Sequence, residues 1–310
     1  TGIEVLIGSN LNDLLAGDTL ANQLTGGAGN DTLRGGSGPD TLVGGDGTDT
    51  ADYSTAISSV TVNLATNSGT AGDAHGDVLS GIENIIGSGF ADLLVGDNAS
   101  NLIEAAEGND TLQGGIGDDT LLGGGGNDTL IGGVGSDSVV GGDGQDTVDY
   151  SGSASAVTID LQAGTGTGGD ASGDLFSEVE NITGSSAGDF LRGDAGSNQL
   201  DGAGGDDTLI GGAGGDTLIG GGGTDIVDYS ASGTGVTVNL QSGSGSGGHA
   251  QGDILSGIED LRGSNASDSL IGSDDANLIE GGAGDDTVLG GDGVDTLVGG
   301  TGNDILSGGA

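Results

Sequence analysis

Several residue types are absent from this sequence or rare in it. The 310 residues include no cysteine, methionine or tryptophan, a single proline, and three tyrosines and three phenylalanines. Without cysteine no disulfide framework can form, and so few aromatic residues argue against a conventional globular core. No apolar run approaches the roughly 20 residues of a membrane helix, and no secretory signal peptide is visible. We therefore expect no transmembrane segment.

Positive charge is also scarce. Lysine is absent and three arginines face 48 acidic residues, which gives a formal net charge of −45. This balance argues against binding to nucleic acid or to an anionic membrane, because contacts with phosphate groups need cations. The predicted partners are cations, and without them the dense like charge opposes collapse of the chain.

A nine-residue repeat dominates what is present. Residues 26–34 read "GGAGNDTLR", followed by "GGSGPDTLV" and "GGDGTDTAD". Fourteen nonamers place an aspartate sixth in a full or nearly full glycine turn: Asp31, Asp40, Asp49, Asp110, Asp119, Asp128, Asp137, Asp146, Asp207, Asp216, Asp225, Asp286, Asp295 and Asp304. Four looser copies carry Asp13, Asp92, Asp189 and Asp268. The nonamer after each looser copy has an asparagine (Asn22, Asn101, Asn198, Asn277), and the one before it a glutamate (Glu4, Glu83, Glu180, Glu259).

A longer period is superimposed on the nonamers. Three segments of 25 residues, 53–77, 150–174 and 229–253, each follow the aspartate of a "DYS" triplet and contain an alternating apolar run such as "VTVNL". Alternation with period two predicts a half-buried strand. We call these segments the inserts and expect them to continue the architecture as wider coils. They divide the chain into four modules, 1–52 (truncated), 53–149, 150–228 and 229–310, and the pattern at both ends is typical of a segment cut from a longer polypeptide.

The nonamer itself predicts a β-solenoid. Its last three residues favour a short strand, with the aliphatic eighth residue pointing inward and the seventh and ninth outward. The first six form a return in which glycine permits unusual backbone angles. Strands of three residues are stable only when stacked about 4.8 Å apart. Two nonamers then form one coil, and the turns stack along both edges.

Such stacking also brings carboxylates together. Asp110, Asp128 and Asp146 would lie above one another, which is electrostatically unfavourable unless cations lie between the coils. Calcium takes six to eight oxygen ligands from carboxylates and backbone carbonyls, and a glycine turn exposes its carbonyls. The absence of cysteine and the presence of only two histidines disfavour a transition metal. We predict several Ca²⁺ ions, with all eighteen sixth-position aspartates as candidate ligands.

At this point the residues resemble a known family. "GGAGNDTLR", "GGGGNDTLI", "GGVGSDSVV" and "GGAGDDTVL" match, position by position, the RTX (repeats-in-toxin) or hemolysin-type calcium-binding repeat G-G-x-G-x-D-x-U-x. The resemblance implies a right-handed parallel β-roll loaded with calcium, from a bacterial protein exported unfolded by type I secretion and folded outside the cell. Ala105, Ala106 and Ala203 replace motif glycines. The asparagine and glutamate nonamers lack the aspartate, so there we expect hydrogen-bonded ladders and aliphatic packing instead of calcium.

Several residues admit alternative interpretations. A glycine-rich acidic chain could be disordered, which we expect only without calcium. We interpret His75 and His249 as solvated loop residues, and acid pairs such as Asp118 and Asp119 as parts of calcium turns instead of acid–base catalysts. Tyr53, Tyr150 and Tyr229 of the "DYS" triplets are interpreted as packing residues, with a carbohydrate-binding role as the alternative.

Threonine recurs at the seventh position and an aliphatic residue, such as Ile131, at the ninth. Three interpretations of these outward residues are open. They are simple β-propensity, a lateral contact surface for another subunit or domain, and an ice-binding face. No catalytic motif is evident, and we predict that the chain is not an enzyme. Its predicted function is an extracellular structural or adhesive repeat protein of a surface layer, fibre or matrix. The alternative is the calcium-binding secretion and folding region of an RTX enzyme or toxin whose catalytic domain lies elsewhere.

Overall fold

The computed structural model describes residues 3–309, which form short β-strands joined by turns and three 3-10 helices. The chain divides into two compact units. One comprises the residues up to Val148 together with Ala171–Val179, and the other comprises Asp149–Asp170 and the residues from Glu180 onward. Whether the four sequence modules fold as such stays a prediction.

The elements up to the third 3-10 helix follow one another along the chain as follows: β1 (Val5–Ile7), β2 (Leu14–Ala16), β3 (Gln23–Ala28), β4 (Thr32–Arg34), β5 (Thr41–Asp46), β6 (Thr50–Asp52), β7 (Thr61–Asn63), β8 (Ser68–Ala71), the 3-10 helix Gly72–Ala74, β9 (Val78–Ser80), β10 (Asn84–Ile86), β11 (Leu93–Val95), β12 (Leu102–Glu107), β13 (Thr111–Ile116), β14 (Thr120–Gly125), β15 (Thr129–Val134), β16 (Ser138–Asp143), β17 (Thr147–Asp149), β18 (Thr158–Asp160), β19 (Thr165–Thr167), the 3-10 helix Gly169–Ala171, β20 (Leu175–Ser177), β21 (Asn181–Thr183), β22 (Phe190–Arg192), β23 (Gln199–Asp201), β24 (Thr208–Ile210), β25 (Thr217–Ile219), β26 (Ile226–Asp228), β27 (Thr237–Asn239), β28 (Ser244–Ser246) and the 3-10 helix Gly248–Ala250. The remaining strands are β29 (Ile254–Ser256), β30 (Asp260–Arg262), β31 (Ser269–Ile271), β32 (Leu278–Ala283), β33 (Thr287–Leu289), β34 (Thr296–Thr301) and β35 (Ile305–Ser307).

Within each unit, successive nonamers contribute strands to two sheets in turn. β13 pairs in parallel with β15 and β14 with β16, each with partners 18 residues apart, as in Leu112 with Leu130 and Leu121 with Val139. The predicted coil of two nonamers is thereby confirmed, and the architecture is an all-β solenoid of parallel strands.

The eighth-position side chains build the core. Leu33, Leu112 and Leu209 are fully buried, and strands such as β4 and β24 show the same pattern of a buried residue between two half-buried ones. Each such leucine contributes about 1.5–3 kcal/mol relative to an exposed one. Leu306 in β35 is exposed, because strand pairing covers it from one side only. The seventh and ninth residues are mostly half-buried, since identical positions one coil away flank them.

The inserts differ from the expected wider coils. β7 and β8 are antiparallel, and so are β8 and β9, while β9 pairs in parallel with β5 and β7 with β11. The insert at 229–253 repeats this arrangement with β27, β28 and β29. The tight reversal needs a positive φ after the first strand, which Asn67 and Gly243 supply. Each of these inserts thus adds a hairpin to one sheet.

The "DYS" tyrosines close two of the inserts. Tyr53 donates a hydrogen bond from its hydroxyl to Asp77 Oδ2, and Tyr229 donates one to Asp253 Oδ2, both at 2.9 Å. All four side chains are buried. The first residue of the insert is therefore tied to its last residue, a role beyond the packing predicted for these tyrosines.

The three arginines also lie at the inserts. Arg34 pairs with Asp52, Arg192 with Asp160 at 3.3 Å, and Arg262 with Asp228 at 2.9 Å. Arg262 additionally contacts Glu280 at 2.8 Å. Because these pairs are partly exposed, each stabilises the fold by only about 1 kcal/mol or less. Within residues 3–309, the acids that these ion pairs contain are Asp52, Asp160, Asp228 and Glu280, which are not sixth-position aspartates of the glycine turns.

Candidate metal centre

The sixth-position residues form columns along the edges of each unit. The backbone N–H of Asp110 donates to Asp128 Oδ1 at 2.8 Å, and that of Asp128 donates to Asp146 Oδ1 at 2.8 Å. The same bond at a separation of 18 residues joins Asn101 to Asp119 and Asp119 to Asp137. One carboxylate oxygen of each aspartate is therefore committed to the preceding coil.

The second carboxylate oxygen is different in most of these turns. It is buried and has no hydrogen-bond partner within the described residues. This holds for Oδ2 of Asp31, Asp40, Asp49, Asp110, Asp119, Asp128, Asp137, Asp207, Asp216, Asp225, Asp286 and Asp295. Burying an ionised oxygen without a partner costs several kcal/mol, so a repeated row of such atoms needs a compensating charge.

Burial changes the acidity of these groups. It raises the pKa of Asp110, Asp119 and Asp207 to about 7, and that of Asp40 and Asp216 to about 6. Neighbouring carboxylates raise them further, as Asp137 does for Asp119, whereas hydrogen bonds from the backbone lower them. The fold without a cation therefore favours protonated carboxyl groups.

The backbone at the second residue of the nonamer distinguishes the full turns from the looser ones. In all fourteen full or nearly full turns it has a positive φ, for example +121° at Gly27 and +108° at Gly124. The two alanines at this position, Ala106 and Ala203, adopt it as well, at 86° and 66°. Only glycine reaches such angles without strain.

In the looser aspartate turns and the asparagine turns, a serine or aspartate occupies the second position, and its N–H donates to the sixth side chain. Ser88 bonds to Asp92 Oδ2 in this way, and Asp97 bonds to Asn101 Oδ1 at 2.8 Å. The Ser88 hydroxyl and the Val60 N–H also donate to Asp92 Oδ1, at 2.8 and 2.7 Å. Equivalent serine contacts reach the other looser aspartates, which are Asp13, Asp189 and Asp268. These four predicted ligands therefore have protein partners and differ from the others.

The first glycine of a full turn leaves room beside the free oxygen. A Cβ built on Gly123 would overlap both Asp128 Oδ2 and the carbonyl oxygen of Gly141 in the next coil. Gly26 stands in the same relation to Asp31 Oδ2 and the carbonyl of Gly44. A carboxylate oxygen and a carbonyl oxygen from adjacent coils thus border one small space at these two turns.

The glutamate and asparagine nonamers mark the ends of the columns. Asp49 N–H donates to Glu83 Oε2 at 2.8 Å, so Glu83 stands where the next aspartate would be. The amide Nδ2 of Asn101 then donates to the backbone carbonyl of Glu83 at 2.8 Å. The insert aspartate Asp77 ends another column, because it accepts the N–H of Asp40 at 2.8 Å. The sequence pattern showed these residues but not their role.

The donor set fits a hard cation such as Ca²⁺. Among residues 3–309, no cluster of three or more His, Cys, Asp or Glu side chains could hold a metal. A cation in these turns would be held by one or two carboxylates together with backbone carbonyls, which is chemistry that calcium accepts. The predicted aspartates of the full turns thus offer carboxylate oxygens near backbone carbonyls. The four looser aspartates differ, because their oxygens already accept hydrogen bonds from serines.

The raised pKa values predict a pH dependence of the calcium-free protein. The folded-state pKa lies above the usual value near 3.8, so the folded form holds protons that the unfolded form releases between about pH 4 and pH 7. Stability without calcium should therefore fall as the pH rises through this window. We expect calcium-stripped protein to show more β-structure by circular dichroism at pH 5 than at pH 8.

Two adjacent residues provide the control for this experiment. Asp119 is buried whereas Asp118 is exposed, so Asp119→Asn and Asp118→Asn remove the same charge. Asp119→Asn should flatten the pH dependence more than Asp118→Asn does, since an amide already occupies the equivalent position at Asn101. Equal effects of the two variants would show that overall charge, not burial, sets the pH response.

Comparison with known protein families identifies the type of repeat. The chain matches the family model of the RTX calcium-binding nonapeptide repeat over residues 7–42, 16–51, 77–112, 113–148, 178–209, 201–231, 255–288, 262–297 and 289–310. Together these segments cover well over half of the sequence, and most insert residues lie outside them. A search of curated proteins found no match. No helix within residues 3–309 is long and apolar enough to span a membrane.

Proposed function

Because the chain belongs to the RTX calcium-binding nonapeptide repeat family, we propose that it is an extracellular structural or adhesive repeat protein that folds on binding calcium after secretion. Calcium binding itself follows from the family, and RTX repeats are typical of secreted bacterial proteins. The folding switch, the type I secretion route and the assembly into a surface layer, fibre or matrix are our proposal.

The row of buried carboxylate oxygens without partners is the observation that supports the folding switch. Twelve of the fourteen full turns hold an aspartate whose Oδ2 is buried and has no hydrogen-bond partner within the described residues, while the arginines pair with other acids there. When bound, calcium would supply the positive charge that these turns lack. The aspartate carboxylates and the glycine carbonyls would then bind the ion together. The free energy of calcium binding would thereby stabilise the folded chain.

The proposed ligands are the aspartates of the fourteen full turns. Those with a free buried oxygen have the strongest support, and Asp304 belongs to the same column as Asp286, whose N–H donates to Asp304 Oδ1 at 3.1 Å. The four looser aspartates have weaker support because serine groups already occupy their oxygens.

Assembly is proposed to use the outward rows of the sheets. Ile131, Ile210 and Ile219 at ninth positions are half-buried between neighbouring coils and flank threonine rows. These outward apolar and threonine positions occur on both sheets, and they suit lateral contact with a second copy or with neighbouring repeats of a longer chain. The long-period inserts that alternate with the nonamer runs support a structural or adhesive function over a role as an enzyme's folding region.

A triple substitution tests this assembly. We expect Ile131→Thr, Ile210→Thr and Ile219→Thr together to leave the β-signal intact in millimolar calcium and to abolish association measured by sedimentation velocity. The control is Ile116→Thr with Val134→Thr, since these residues are 51% and 54% exposed at the ends of β13 and β15. Association that persists in the triple variant would contradict the proposed contact face.

A further inference from the structure

The inserts end in a feature that the nonapeptide motif does not include. After each hairpin the chain reads "SGIEN", "SEVEN" or "SGIED". In the first and third of these strings, the glutamate accepts the N–H of the last aspartate of a column. We propose that Glu83 and Glu259 complete additional calcium sites, with Asp49 and Gly81 in one and with Asp225 and Gly257 in the other. This inference rests on the proposed calcium function and adds ligands outside the repeat motif.

The glutamates occupy the position of the missing aspartate. Asp49 N–H donates to Glu83 Oε2 at 2.8 Å, and Asp225 N–H donates to Glu259 Oε2 at 2.9 Å. In each pair the glutamate N–H also donates back to the aspartate carbonyl, at 3.0 and 3.1 Å. Two hydrogen bonds therefore hold each glutamate over its aspartate. The glutamate side chain, which is longer than that of aspartate, reaches the aspartate N–H from a backbone that does not form a glycine turn.

A carbonyl oxygen also replaces the one that the next nonamer would supply. The backbone has nearly the same positive φ at the two glycines, 59° at Gly81 and 60° at Gly257. A Cβ built on Gly44 would overlap both the Gly81 carbonyl oxygen and Asp49 Oδ2. A Cβ on Gly220 would overlap the Gly257 carbonyl oxygen and Asp225 Oδ2 in the same way.

The free oxygen at each place points to a ligand. Asp49 and Asp225 are 0% exposed, and Oδ2 of each has no hydrogen-bond partner within the described residues. Within residues 3–309 the arginine ion pairs involve other acids, so none of these pairs offsets the two carboxylates of each site. Carboxylate and carbonyl oxygens with excess negative charge form the donor set that calcium prefers.

The beginning of the next column agrees with this assignment. The amide of Asn101 donates to the Glu83 carbonyl at 2.8 Å, and that of Asn277 donates to the Glu259 carbonyl at 2.6 Å. A neutral amide therefore follows each glutamate where another carboxylate would add repulsion. The ligands lie 34 residues apart instead of 18, so each site forms only when the insert hairpin is in place. Calcium would thereby lock the insert to the run of nonamers before it.

Counting bound ions tests the proposal. The variant Glu83→Gln with Glu259→Gln keeps an oxygen that can accept the aspartate N–H but removes both charges. In equilibrium dialysis with metal analysis, we expect about two fewer calcium ions per chain than in wild type. Glu104→Gln with Glu107→Gln, at exposed positions of one nonamer run, should bind the wild-type number.

Other outcomes separate this proposal from the broader function. An unchanged ion count in the glutamate variant overturns the additional sites, whereas a wild-type protein that binds no calcium overturns the proposed function itself. If the double variant does not fold, bound calcium is measured for Glu83→Gln and Glu259→Gln separately. The loss of one ion in each supports the proposal, and the wild-type number of ions contradicts it. Hydrogen exchange in limiting calcium should be faster in the inserts 53–77 and 229–253 of the double variant.

Discussion

Asp128→Ala is expected to remove about two calcium ions per chain and to raise the calcium concentration at the folding midpoint at least about tenfold. The side chain faces both neighbouring coils. Its Oδ1 accepts the Asp110 N–H of the preceding coil, and its Oδ2 lies beside the Gly141 carbonyl of the following coil. Loss of the carboxylate also leaves the buried Asp110 N–H without its acceptor, at a cost of about 1–3 kcal/mol.

The matched control for this substitution is Asp143→Ala. Asp143 is exposed in the next turn of the same column, so its replacement changes the net charge equally. We expect this variant to bind as many ions as wild type and to fold at nearly the same calcium concentration. If Asp128→Ala bound the wild-type number of ions, or if both variants behaved alike, the assignment of the sixth-position aspartates as ligands would be wrong.

Three consecutive glycines, Gly220, Gly221 and Gly222, should respond very differently to substitution by alanine. Gly220→Ala places a methyl group on Asp225 Oδ2 and the Gly257 carbonyl oxygen, and Gly221→Ala imposes a side chain at φ +105°. We expect each to lower the free energy of unfolding by about 1–3 kcal/mol. Gly222→Ala meets nothing within 4 Å, so it should be neutral or stabilise the protein by up to about 1 kcal/mol.

Urea denaturation in saturating calcium measures this series. Gly220→Ala should also reduce calcium binding, because the methyl group fills the space beside the free oxygen, whereas Gly222→Ala should not. The three variants make the same change, glycine to alanine, at consecutive positions of one turn. A similar loss of stability in all three variants would show that the turn has no specific requirement at its first two positions.

The sequence predicted the parts of the fold that depend on short-range periodicity. The inward leucines and the columns of aspartates follow from the position of one residue within nine, and the 18-residue register then fixes their neighbours. The distinction between Asp92 and Asp110 was visible as well, because position two is Ser88 in one turn and Ala106 in the other. The sequence alone could not show that Ser88 donates to the carboxylate whereas Ala106 turns its backbone to a positive φ.

Longer-range features were not predictable in this way. Alternation in "VTVNL" indicates a strand, but it does not specify an antiparallel partner, and the hairpin of β7 and β8 replaced the expected wide coil. The bond from Tyr53 to Asp77 spans 24 residues, beyond any local pattern. The place of Glu83 above Asp49 depends on how the insert returns the chain to the column.

A calcium titration of chelator-treated protein tests the central claim most directly. Far-UV circular dichroism would follow the backbone while small-angle scattering follows the dimensions of the chain, with magnesium as the control cation. The row of buried carboxylates predicts a cooperative change from coil to β-structure that is specific to calcium. A protein that is fully folded at neutral pH without calcium, or that stays disordered in millimolar calcium, would contradict the account.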